Sequence, residues 1–308
     1  MPDNLLEVES LGNLELVAAR VVEGFITGLH QSPFHGFSSE FNEHRLYNKG
    51  ESTRHIDWKL FARTENLFVK RYEDETNLRC QIVLDVSASM KYPQNQKPSS
   101  KLEFSVVCAA AILNLLRKQR DAAGLTIFSN GILFSSDAKV SPVHSRMLFS
   151  QLEKFAVDKS IKKVESDIAK ISIAETLHTV AENIHKRSLV IIFSDMFDSG
   201  KSEDLFAALG HLRHCGHDVI LFHVFDRNTE QNFNFDNRPY KFVDMETGEE
   251  TAINPLEIKD NYRKSAKKFR EDLKTRCTML NMDFAEADIC DDFKSVLVPY
   301  LLKRSRLH

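Results

Sequence analysis

The sequence has no apolar stretch approaching the ~20 residues a helix needs to cross a bilayer, so no membrane-spanning helix is expected. Its first residues, Met1-Pro2-Asp3-Asn4, lack a basic head and a cleavable apolar core, so a secretory signal is not expected either. Neither sign of charge dominates: 41 Lys and Arg stand against 44 Asp and Glu, a formal net charge of −3, which gives no reason to expect nucleic acid or an anionic membrane as the main partner. Cysteine is sparse. The five (Cys80, Cys108, Cys215, Cys277 and Cys290) are scattered, odd in number and without a C-x-x-C pair, a pattern of reduced structural thiols that suits the cytoplasm. There is no internal repeat or low-complexity tract. G-x-S-x-G, Walker and H-E-x-x-H signatures are all missing, and the chain reads as a non-enzyme.

What is present centres on Gln81-Ile82-Val83-Leu84-Asp85-Val86-Ser87-Ala88-Ser89-Met90. Ile82-Val83-Leu84 reads as a buried strand. It ends in Asp-x-Ser-x-Ser, which sets one carboxylate and two hydroxyls at the carboxyl end of a strand, where open α/β sheets bind ligands. Oxygen-only donors of this kind suit a hard cation such as Mg²⁺. The plainer reading is that Asp85, Ser87 and Ser89 only shape a turn and cap the next helix.

At 308 residues the chain is long enough for one large domain with additions or two modest ones. Apolar periodicity predicts a helix over 11–29, then a loop over 32–41. The segment 41–59 is polar, turns at Gly50, and holds the only tryptophan, Trp58, beside Asp57 and near Arg54. It reads either as an ion-paired loop plugged by Trp58 or as an Arg/Asp platform for the site. A strand over 67–72 follows. After the Asp85 strand come a loop (92–100), a helix over 101–120, a strand over 123–128, and an Asn130-Gly131 turn into Ile132-Leu133-Phe134, a hairpin signal. Helices are predicted over 143–155 and 173–185.

Ser188 to Phe193 is a second buried strand, ending in Ser194-Asp195, with Asp198 beyond. A helix (202–214) and a buried strand (218–225) ending at Asp226 complete an alternation of helices with fully apolar strands. That texture argues for a parallel sheet covered on both faces. In such a sheet the strand ends share one edge, so Asp85, Ser87, Ser89 and Asp195 can converge. Beyond Asp226 the chain predicts a small hairpin near 240–249, a long charged helix over 255–279, a brief strand at 283–285 and a closing helix over 291–304. His211, His214, Cys215 and His217 invite a zinc reading, but their spacing matches no standard zinc pattern, and a helix C-terminus favours imidazoles anyway.

Asp85-x-Ser87-x-Ser89 with a later strand-end Asp195 resembles the metal-ion-dependent adhesion site of von Willebrand factor A-like domains. Arg45-Leu46-Tyr47-x-x-Gly50-Glu51-x-x-Arg54-His55-Ile56-Asp57-Trp58-Lys59-x-x-Ala62-Arg63, together with Arg187 to Asp195, resembles the signature of the bacterial domain-of-unknown-function family 58. The resemblance spans about residues 10 to 300. It implies a Rossmann-like von Willebrand A core over 76–226, an N-terminal extension over 1–75 carrying the Arg/Asp/Trp motif, and a C-terminal hairpin and helices over 227–308. It also implies Ser87 and Ser89 as direct ligands of Mg²⁺ or Mn²⁺, with Asp85 and Asp195 acting through bound waters. One position departs from the pattern: Ile171 stands where a threonine ligand is expected, leaving Ser172 as its substitute, so the ion is expected to be held weakly or not at all.

The function so implied is a cytoplasmic, non-catalytic adaptor or chaperone-like protein. It would work with a MoxR-type AAA+ ATPase on a client complex, with Arg54, Asp57 and Trp58 contributing to partner binding. The alternative is a divalent-metal-dependent phosphoester hydrolase, for which His55 and His178 are candidate bases.

Overall fold

In the computed structural model the described residues are 14–26, 40–46, 58–64, 66–73, 78–93, 99–157, 171–197, 202–245, 248–293 and 295–297. In chain order the first elements are α1 (Leu14–Ile26), β1 (Glu40–Leu46), α2 (Trp58–Thr64), β2 (Phe68–Glu73), β3 (Arg79–Asp85), α3 (Lys101–Gln119), β4 (Ala122–Ser129), β5 (Gly131–Lys139) and α4 (Pro142–Val157). They are followed by α5 (Ile173–Asn183), β6 (Leu189–Ser194), α6 (Ser202–His214), β7 (Asp218–Phe225), β8 (Tyr240–Val243), β9 (Glu250–Ile253), α7 (Pro255–Met279) and β10 (Asp283–Asp288).

Six strands form one sheet in the order β10-β7-β6-β3-β4-β5. All neighbours are parallel except β5, which runs antiparallel to β4. The apolar runs occupy the centre: every residue of β4 and β6 is buried, as is every residue of β3 after Arg79. A strand buried on both faces cannot alternate polar and apolar residues, and these do not. The edge strand β5 is buried only at Gly131 and otherwise mixes half-buried with exposed positions through Lys139, well past the Phe134 that its apolar start suggests.

On one face Val83, Val190, Ile192 and Leu221 pack with Leu177 and Val180 of α5, Leu209 and Leu212 of α6, and Leu273 of α7. Helix α3, buried from Lys101 through Leu116 except at the half-buried Glu103, covers the other face, with α1 and α4 against it. Each buried Leu, Ile or Val contributes roughly 1.5–3 kcal/mol of transfer free energy. Helices α3 and α5 both begin with a capping box, Ser100 with Glu103 and Ser172 with Glu175, which satisfies two otherwise orphan N–H groups at each start.

The chain divides into two compact units, Phe34–Leu78 and the remainder. Helix α1 belongs with the sheet, tied by the Leu14 N–H to Glu153 (3.0 Å) and by an Arg117–Glu15 ion pair, rather than with the extension that the 1–75 boundary groups it in. Within the smaller unit β1 and β2 pair antiparallel, Glu40 opposite Glu73 and Leu46 opposite Phe68. The expected helix over 291–304 lies mostly outside the described residues.

Candidate functional site at the carboxyl edge of the sheet

Between β3 and β6 the strand order reverses: β4 and β5 continue to one side of β3, while β7 and β10 continue beyond β6. Open α/β sheets bind ligands in the crevice at such a point. β3 delivers Asp85 to this crevice, and β6 delivers Ser194 and then Asp195.

Asp85 is fully buried, and each of its oxygens already accepts a hydrogen bond. Oδ1 receives the Ser87 N–H at 2.9 Å and Oδ2 the Ser194 hydroxyl at 2.5 Å. Burial, reinforced by the charge of Asp195, pushes its carboxyl up to about 7. The Ser87 and Ser89 hydroxyls lie 3.1 Å apart, and Ser89 also hydrogen-bonds Asp195.

Asp195 accepts the Phe197 N–H at 3.0 Å and, on Oδ2, the ammonium of Lys101 at 2.7 Å. Burial works to raise its pKa, but Lys101 prevails and holds it below the usual carboxylate range. Lys101 is the largest surprise of the site. Its side chain is 2% exposed, and its ammonium reaches Glu230 Oε1 at 2.5 Å as well as Asp195. Burial disfavours that ammonium, yet the two carboxylates outweigh it and hold the pKa above the ordinary lysine value. Glu230 lies in a π-helical turn, Arg227–Gln231, just beyond β7, and its other oxygen accepts the Asp226 N–H at 2.8 Å. Burial raises the Glu230 pKa, against the pull of Lys101.

Ser89, Lys101, Asp195 and Glu230 form part of the wall of a cavity of about 960 Å³, enclosed also by Phe197, His223, the β8–β9 hairpin and α7. Asp85 and Ser87 are not among its lining residues. The cavity therefore reaches the charged half of the cluster, while the Asp85 half is sealed beneath it. His223 packs against Phe225 and Phe284, its Nδ1 has no partner, and burial lowers its pKa to about 4.

The structure thus gathers Asp85, Ser87, Ser89 and Asp195 as expected from the strand ends. The Ser172 hydroxyl caps α5, accepting the Glu175 N–H at 3.1 Å. The arrangement does not fit a divalent cation held directly through Asp195. An ion in direct contact with Asp195 Oδ2 would stand within about 5 Å of the Lys101 ammonium, where repulsion at an effective dielectric constant of about 20 is roughly 7 kcal/mol. Arg54, Asp57 and His55 lie outside the described residues. Trp58 is 60% exposed and meets Phe61 edge-on at 6.2 Å.

The zinc candidates do not form a cluster. His178 Nδ1 lies 2.9 Å from His211 Nδ1, but the His217 ring is spent on the Ser188 N–H and the Ala181 carbonyl. Among the described residues the one group spaced for a metal is Asp226, Asp288 and Cys290, at the ends of β7 and β10. Its oxygens serve the turns instead. Asp226 accepts from Asn228 N–H and Thr229, Asp288 from the N–H groups of Arg227 and Cys290, and the Arg227 guanidinium lies 2.6 Å from Asp288.

Sequence reading missed Lys101 and Glu230, and named Ser194 only as a strand-end residue. A signal for the first was available: Lys101 follows the N-cap Ser100, and a cation in the first turn opposes the helix dipole. A lysine placed there calls for a nearby carboxylate.

An open, mostly parallel sheet with helices on its faces and a polar cluster at its switch point defines a domain of the α/β class. Residues 43–272 match the family described as protein of unknown function DUF58, and the chain belongs to that family. Uncharacterized proteins of Mycobacterium bovis and Mycobacterium tuberculosis are each 24% identical over 267 residues, covering 86% of this chain and 79% of the relative. A crystal structure of an uncharacterized membrane-spanning protein from Vibrio fischeri aligns over 73% of this chain and 98% of that one. Its identity is 10% and its TM-score 0.20, too low to bear on the fold. Among the described residues of this chain, no helix is long and apolar enough to cross a membrane.

Proposed function

We propose that the protein is a non-catalytic interaction module with a von Willebrand A-like core, which receives a protein partner in the cavity at the carboxyl edge of its sheet. The observation that carries this reading is the division of the cluster: Lys101, Asp195 and Glu230, which face the cavity, are paired with one another, and Asp85 is sealed away from it. A general base needs access to the proton it removes; Asp85 lacks that access, Glu230 is bonded to Lys101 and the His223 Nδ1 is buried, which favours binding over proton transfer. The exposed Phe197 (63%) on its wall offers an apolar contact to a partner. The sequence's resemblance to its family supports a MoxR-type AAA+ ATPase as that partner, acting with this protein on a client complex. Five cysteines without a disulfide suit a cytoplasmic setting.

The test is binding of the full chain to the MoxR-type ATPase of the same bacterium, with and without ATP, measured by biolayer interferometry. Phe197→Glu is expected to weaken the complex at least tenfold, since a charge placed in an apolar contact goes unpaired. Wild-type affinity in Phe197→Glu would count against the cavity as the docking place. No complex at all would count against this class of partner.

A further inference from the structure

We infer that the cation of the sheet-edge cluster is the ε-ammonium of Lys101 itself, held where a divalent ion would otherwise bind, with Glu230 completing the site from within the chain. This goes beyond the partner reading and does not depend on it.

Three observations converge. The first is position: Lys101 stands in the first turn of α3, where the helix dipole disfavours a cation, so its placement needs a compensating source of negative charge. The second is burial: with its side chain 2% exposed, the ammonium is removed from water, a state tolerated only when the charge is paired. The third is the identity of its partners. It bonds Asp195, the second carboxylate of the expected ion site, at 2.7 Å and Glu230 at 2.5 Å. Glu230 is brought there by a π-helical turn, an uncommon element frequent at functional sites, and is anchored on its far side by the Asp226 N–H. The Asp85, Ser87, Ser89 and Asp195 frame is thus retained while its positive charge is covalently part of the chain. A cluster built this way keeps its shape at any metal concentration and is indifferent to chelators.

The test is a Mn²⁺ titration of the full chain, followed by the Mn²⁺ electron paramagnetic resonance signal and by the melting temperature. Wild type is expected to take up no stoichiometric Mn²⁺ and to melt at the same temperature with Mn²⁺, Mg²⁺ or a chelator. Lys101→Met, which keeps the stem and removes the charge, leaves Asp195 and Glu230 facing each other. It is expected to gain one bound Mn²⁺ and to be stabilised by it. Stoichiometric uptake by wild type would overturn the inference, as would a folded Lys101→Met that gains no ion. Should Lys101→Met fail to fold, Glu230→Gln provides a second reading. That variant keeps the Lys101–Asp195 pair and should remain free of Mn²⁺, and uptake by it would equally overturn the assignment.

Discussion

Two pairs of buried carboxylates sit at the same edge of the same sheet, and they are balanced in different ways. Asp226 and Asp288, at the ends of β7 and β10, are satisfied largely by backbone N–H groups of the turns that follow them, with a half-exposed Arg227 (48%) alongside. Asp85 and Asp195, at the ends of β3 and β6, depend on side chains from elsewhere in the sequence: Ser194 for the first and Lys101 for the second. Local turn geometry suffices where the acid belongs to its own loop. Where two strands bring acids together from distant parts of the chain, a charge has to be imported, and the imported group becomes the part on which the site depends.

The largest expected effect tests that dependence. Lys101→Ala leaves Asp195 buried without its cation and is expected to cost about 3–5 kcal/mol in chemical denaturation. If it behaved like an ordinary surface substitution, the contrast between the two acid pairs would collapse.

Next is the pH dependence of the imported side. His223 titrates at 6.5 when unfolded and about 4 when folded, so it favours the native state fully above 6.5, and that contribution is lost as pH falls toward 4. The shift is equivalent to about 3 kcal/mol. His223→Phe, which retains ring packing against Phe225 and Phe284, should therefore gain stability relative to wild type over that interval. Parallel denaturation curves at each pH, with no widening gap, would remove His223 from the account.

Asp85 has the opposite sign. Its folded pKa is raised from 3.8 to about 7, so the native state holds the proton more tightly and loses stability relative to the unfolded chain as pH rises through that range. Asp85→Asn should consequently gain on wild type as pH rises from 4 to 7, by a comparable margin, the opposing Ser87 and Ser194 hydrogen bonds being outweighed by burial. A variant that loses ground with rising pH would reverse the assignment. The smallest effect belongs to the other pair: Arg227→Ala is expected to cost no more than about 1 kcal/mol, the usual worth of a half-exposed ion pair. A loss as large as that of Lys101→Ala would mean the two pairs are balanced alike.

The sheet was legible because strands buried on both faces must be written as unbroken apolar runs, as Ile82-Val83-Leu84 and Leu189 to Phe193 are. From two such runs, the meeting of Asp85 with Asp195 follows as a property of parallel strands. The edges were less legible. β10, Asp-Phe-Ala-Glu-Ala-Asp, carries charges an edge strand can expose, so only its first three residues read as strand. Lys101 and Glu230 were not legible as a pair, since 129 residues separate them and each alone resembles a surface charge. Ser172 reads two ways. Its place beside the expected threonine suggested a ligand, whereas its local pattern with Glu175 marks a helix cap.

Gly124 and Gln81 are paired across β3 and β4. The Gln81 amide donates to Thr126 at 2.9 Å and to the Ser136 carbonyl at 3.1 Å, lying over a point where a Cβ on Gly124 would stand 2.2 Å from its oxygen. A side chain of that length fits only opposite a residue that has none. Sliding β3 by one step would drive Gln81 into Ala123 or Leu125 and turn its amide to the other face. The two residues act as key and keyway for strand alignment. Because Asp85 lies four positions further along the same strand, the lock that sets alignment at one end of the sheet also fixes how far the carboxylate projects at the other.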